Sequence, residues 1–201
     1  MRHTIDSLAD EPRWELSRVQ ALPGRSRGDL LGAWGPNVSA RFGADALARV
    51  RDRLPPSLAQ LPISLTARDW VPVHAQLVLT EAIVDELLAG DMRALYPLLV
   101  ADTRAGLGRI QLMVVRRLGP RRALELAPRT FHKVHERGEV DVEVTGRHAR
   151  ITFAGSPLFA HPTWRLLQLF ATRTMLDLVE CAGTVTGEDA GSDGFVAIAT
   201  W

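Results

Sequence analysis

The hydrophobic period of this chain changes once, sharply, and that change limits the folds open to it. Up to about residue 137 the apolar residues recur at helical spacing. Then Glu139-Val140-Asp141-Val142-Glu143-Val144 alternates strictly, and so does His148-Ala149-Arg150-Ile151-Thr152-Phe153. Successive side chains of a strand point to opposite faces, so a period of two gives one dry face and one charged face. Thr145-Gly146-Arg147 between them supplies the turn. The pair predicts a β-hairpin with Glu139, Asp141 and Glu143 toward solvent, across from Arg150. A helix over about Pro162–Cys181 follows, with Leu166, Leu169, Phe170, Leu176 and Val179 on its buried side. Two more strands close the chain, near Ala182–Gly187 and over Phe195–Trp201, with Glu188–Gly194 as the turn. Two hairpins flanking a helix suit an antiparallel sheet covered by helices. The expected class is α+β: a helical N-terminal two-thirds packed on a four-stranded antiparallel sheet made of two hairpins separated by a helix.

The helical part reads less evenly. Residues 1–28 are polar and irregular, with a short amphipathic stretch at Trp14, Leu16, Val19 and Leu22 broken by Pro23-Gly24; they read as an N-terminal extension, and 29–201 as a single α+β domain. Leu30, Leu31, Trp34 and Val38 form one helical stripe, bent at Gly35-Pro36, and Leu47, Val50 and Leu54 form another, ended by Pro55-Pro56. Thr66-Ala67-Arg68-Asp69 offers a capped helix start, ahead of Val73, Leu77, Ile83 and Leu87. A helix from about Met92 to Leu118 contains Gly106 and Gly108, which suit close packing, a bend or a ligand cavity. Gly119-Pro120 predicts a boundary, with the next helix running to Arg137-Gly138.

Composition narrows the function. The 201 residues are 46% hydrophobic and 23% charged, the balance of a globular chain. A formal net charge of +1 argues against a nucleic-acid partner, since such domains carry a strong basic excess. The single cysteine, Cys181, forms no intrachain disulfide and no cysteine-based zinc site, and reads as a buried structural thiol. No apolar run reaches membrane-spanning length and the N-terminus lacks a signal core, so a cytoplasmic location is expected.

Few residues carry recognisable chemistry. His132 and His135 lie three apart on a predicted helix, but no third ligand stands in register, so no metal is expected and no catalytic residue is assigned. No nucleotide or nucleophile-elbow fingerprint is present. Arg116, Arg117, Arg121 and Arg122 belong to a basic run over two helices that suits an acidic partner or other anion. Gly106, Gly108, Phe131, Leu169 and Phe170 are the candidate ligand-binding residues.

Several stretches, in order, resemble a myxobacterial paralogous family of unknown function. They are Arg27-Gly28-Asp29-Leu30-Leu31-Gly32; Arg41-Phe42-Gly43-Ala44-Asp45-Ala46-Leu47 with Leu54-Pro55-Pro56; Asp69-Trp70-Val71-Pro72, similar to a helix start of that family; Ala127-Pro128-Arg129-Thr130-Phe131 with Gly138-Glu139-Val140; and Cys181, Gly187-Glu188 and Trp201. That family is related to the 4-vinyl reductase domain, to haem-NO-binding-like folds and to the Bet3-like subunits of vesicle-tethering complexes. The resemblance implies an α+β fold, a homodimer and a small or apolar ligand, haem among the candidates, but no particular reaction. Relatives able to hold a metal carry a second cysteine in the last hairpin, where this chain has Glu188–Gly194. The expected function is a non-enzymatic binding or sensor module recognising a small ligand or a protein partner. The alternatives are a dimeric scaffold docking an acidic partner through its basic helices, and an enzyme using His132, His135 or His161 as acid or base.

Overall fold

The computed structural model describes residues 1–32, 34–59 and 69–201. In chain order its elements are β1 (Arg2–His3), α1 (Ile5–Ala9), α2 (Leu16–Gln20), β2 (Arg25–Arg27), α3 (Asp29–Gly32), α4 (Trp34–Phe42), α5 (Ala44–Arg53), β3 (Trp70–Pro72), α6 (His74–Leu87), α7 (Leu95–Leu124), α8 (Ala127–Val134), β4 (Glu139–Thr145), β5 (His148–Ala154), α9 (Pro162–Leu178), β6 (Thr184–Asp189) and β7 (Phe195–Thr200).

The alternating segments form the expected hairpin, β4 with β5, in a register that places Glu143 opposite Arg150. The second hairpin, β6 with β7, joins it through an antiparallel β5–β7 pairing, and α9 packs across β6 and β7. The buried face of the sheet carries Val140, Ala149, Ile151, Phe153, Val185, Phe195, Ala197 and Ala199. Against it stand Phe159 and Trp164, with Phe153 and Trp164 packed edge to face at 4.9 Å. Each such fully buried large apolar side chain contributes roughly 1.5–3 kcal/mol.

The sheet has five strands, not four, in the order β1-β6-β7-β5-β4. Arg2 lies opposite Glu188 and His3 opposite Gly187. Asp189 fastens this edge: its carboxylate binds the His3 ring at 2.8 Å and the Arg165 guanidinium at 3.0 Å, and the N-terminal ammonium stands 3.6 Å away. The first 28 residues are therefore built into the body. Beyond β1, Leu8 of α1 is buried where α1 packs on α9, and β2 pairs with β3. That second pairing corrects the reading of Asp69–Pro72 as a helix start: Trp70-Val71-Pro72 is a short strand, and the helix begins after it. The proposed cap at Thr66–Arg68 lies outside the described residues.

The Gly119-Pro120 boundary is a kink rather than an end. Helix α7 runs 30 residues through it. Gly119 takes φ +70°, and Pro120 offers no N–H and crowds the carbonyl four residues back, so the axis turns sharply there. The chain breaks after Leu124 instead, and α8 ends at Val134, before Gly138. Gly138 itself takes φ +93°, and a Cβ built on it would overlap the Phe159 ring.

Candidate functional site

The kink bends α7 around a void. Leu99, Leu107 and Val115 before the bend and Ala123 and Leu124 after it line one partly open cavity of about 570 Å³, bordered on its other sides by α8, α9 and β5. That size suits a small-molecule site. Helix α9 contributes Leu167, Ala171, Met175 and Leu178, whose three- and four-residue spacing marks one helical face. Phe131 and Val134 of α8 and Ile151 and Phe153 of β5 complete a mostly apolar wall.

The polar groups on this wall divide into spent and unspent. The hydroxyls of Thr103, Thr130 and Thr172 donate to the carbonyls of Leu99, Leu126 and Gln168, each four residues back on its own helix. Gln76 Oε1, His135 Nδ1 and Thr174 Oγ1 are buried on lining residues without a hydrogen-bond partner among the described residues. His135 is 8% exposed and its ring stacks on Phe131 at 4.5 Å. Burial lowers its pKa to about 4, so the ring is neutral at pH 7. Asp102, half-buried on α7, accepts from Asn37 Nδ2, and burial raises its pKa. Among the described lining residues there is no arginine or lysine.

Of the residues singled out in the sequence, Phe131 lines the cavity. Leu169 and Phe170 do not; they are fully buried on other faces of α9, Phe170 against Tyr96 at 5.2 Å between ring centroids. Gly106 and Gly108 lie inside α7, but their surroundings fall outside the described residues. Arg116, Arg117, Arg121 and Arg122 are all exposed; Arg116 pairs with Glu180 at 3.1 Å and Arg121 with Glu125 at 2.9 Å. The three histidines considered for acid–base work are dispersed. His132 is exposed, His135 lies in the cavity wall, and His161 is sealed under Trp14, 4.0 Å from Glu81. His132 and His135 thus do not share a face. Among the described residues no three His, Cys, Asp or Glu side chains stand close enough to hold a metal. Cys181 is half-buried rather than buried. Sequence reasoning missed Gln76 and Asp102. The one signal for Gln76 was a polar residue set between Ala75 and Leu77, both fully buried.

A family model described as a protein of unknown function (DUF2378) matches residues 100–164, the stretch that holds the kink, α8 and the first hairpin. No curated protein matches. Among solved structures, one from work on modulating haem redox potential through porphyrin distortion superposes with a TM-score of 0.57 at 8% identity, over 87% of this chain and 99% of that one. The likeness is one of fold. An alanine-to-glycine mutant of the Fe(II) unliganded H-NOX protein from K. algicida gives 0.55 at 12% identity, over 87% and 95% of the two chains. An oxygen-binding H-NOX domain related to soluble guanylate cyclases, in its oxygen complex, gives 0.55 at 8% identity, over 87% and 94%. The chain therefore has an H-NOX-like fold.

Proposed function

We propose that this chain is a binding or sensor module that takes a small, predominantly apolar ligand into the cavity between α7, α8, α9 and β5. The supporting observation is the cavity: apolar walls, with unspent polar atoms at Gln76 and His135, on an H-NOX-like fold. Occupancy would be felt by four elements at once, which is what a sensor needs. The structural neighbours that carry haem raise that group as a candidate. Its iron asks for an axial donor, and His135 stands on the wall. Its two propionates ask for cations; the described lining supplies none and adds the Asp102 carboxyl. The described lining does not fit haem, and a neutral apolar ligand suits it better.

The test is titration with Nile red, a neutral apolar fluorophore, on protein stripped of co-purifying lipid. Saturable one-site binding is expected, weakened at least tenfold by Ala171→Trp, which fills the void. Binding that never saturates, or that ignores this substitution in a folded variant, would overturn the reading. Native mass spectrometry of the unstripped protein checks for a carried ligand.

A second reading is a cytoplasmic homodimeric scaffold docking an acidic partner. Its support is the exposed Arg117 and Arg122, on the same helix as Met113 and Val114, each 52% exposed. Light scattering of wild type against Arg116→Glu/Arg117→Glu/Arg121→Glu/Arg122→Glu decides it: the scaffold reading expects a wild-type dimer and loss of acidic-partner binding in the variant.

A further inference from the structure

We infer that the cavity selects, by its head group, an uncharged alcohol-type amphiphile: an apolar body carrying a hydroxyl that donates a hydrogen bond into the wall. The inference rests on the cavity being a ligand site at all, and deepens it by naming the chemistry.

The wall has unmet hydrogen-bonding capacity. A buried polar atom without a partner costs about 1–3 kcal/mol, so a ligand that satisfies one gains that back on binding. Gln76 Oε1 can only accept. Asp102 accepts already from Asn37 and has lone pairs to spare. The neutral imidazole of His135 accepts or donates at Nδ1 according to its tautomer. Three of the wall's threonine hydroxyls, those of Thr103, Thr130 and Thr172, are turned back onto their own helices, while Thr174 Oγ1 is buried without a partner among the described residues and can both donate and accept. A hydroxyl can donate to Gln76 and accept from Thr174, whereas an ether oxygen only accepts and leaves Gln76 Oε1 unmet. A carboxylate meets the wall worst, because it would enter a low-dielectric space beside Asp102 with no described cation to offset it.

Displacement of Nile red by three compounds with one tail tests this: 1-decanol, decyl methyl ether and decanoate, at pH 8. Decanol is expected to displace the probe at least tenfold more tightly than decanoate and at least threefold more tightly than the ether. Gln76→Leu is expected to close the gap between alcohol and ether. Asp102→Asn is expected to narrow the gap between alcohol and decanoate, and serves independently if the first variant does not fold. Decanoate equal to or tighter than decanol, or ether equal to alcohol in the wild type, overturns the inference. Failure of Nile red itself to saturate is a different result and overturns the cavity reading beneath it.

Discussion

Two buried imidazoles, His135 and His161, and the half-buried His74 have no hydrogen-bonded partner at Nδ1 among the described residues, and that makes stability depend on acid, most of all through the first two. Burial lowers those two pKa values to about 4, with Arg18, Arg165 and Arg13 adding to the effect at His161. An unfolded histidine titrates near 6.5. Between pH 6.5 and 4 the unfolded chain therefore takes up protons that the folded chain refuses. Stability is complete above that window and falls as pH drops through it, by on the order of 2–3 kcal/mol for each ring. Glu81 works the other way: burial raises its carboxyl, so the folded chain binds its proton more readily and recovers part of the loss. Urea midpoints at pH 7.5, 5.5 and 4.5 should fall in that order, and His135→Phe should flatten the fall by about half. Gly138→Ala meets two penalties, a left-handed φ and overlap with the Phe159 ring, and is expected to cost about 2 kcal/mol or more in the same assay.

At the scale of elements, the kink in α7 and the edge at Asp189 are the features to perturb. No atom lies near a Cβ built at Gly119, so Gly119→Ala carries a conformational cost alone, about 1 kcal/mol. Because residues on both sides of the bend line the cavity, Nile red affinity is expected to fall several-fold in that variant, more than the stability loss explains. Asp189→Ala would leave the buried Arg165 with its bond to the Phe159 carbonyl but no carboxylate, and is expected to cost about 3 kcal/mol and to speed hydrogen exchange in β1 and β6 first. These elements differ in how plainly the sequence announced them. The first hairpin was legible because six residues of strict alternation in each strand fit nothing else. Strand β1 was not, since two residues carry no period and its hold on the sheet comes from Asp189, far along the chain. Gly119-Pro120 was legible as a change of direction, but not as a bend inside one helix. Helix α9 misled for a physical reason. It is covered by the sheet on one side and walls the cavity on another, so 12 of its 17 residues are buried and no polar stripe marks which apolar face meets the void. Leu169 and Phe170 were chosen from the face that meets the core. Gln76 was hard to read because its importance lies in what its Oε1 lacks, a partner, and Asp102 because its place on the wall depends on how α7 packs against distant elements.

At the scale of the molecule, a ligand that binds only the folded chain must stabilise it as a whole. At one hundred times its dissociation constant the gain is about 2.7 kcal/mol. For a domain of this size that corresponds to a rise in Tm of roughly 5–10 °C. Thermal scans with 1-decanol should show that rise and scans with equal decanoate should not; equal shifts would place the binding outside the cavity. Finally, the pairing of β1 with β6 has a consequence for how the chain is made. His3 and Asp189 stand 186 residues apart in sequence. At about 5–20 residues per second, a ribosome leaves the first strand waiting roughly 10–40 s for its partner to be synthesised. During translation β1 therefore waits without its partner strand until β6 has been made.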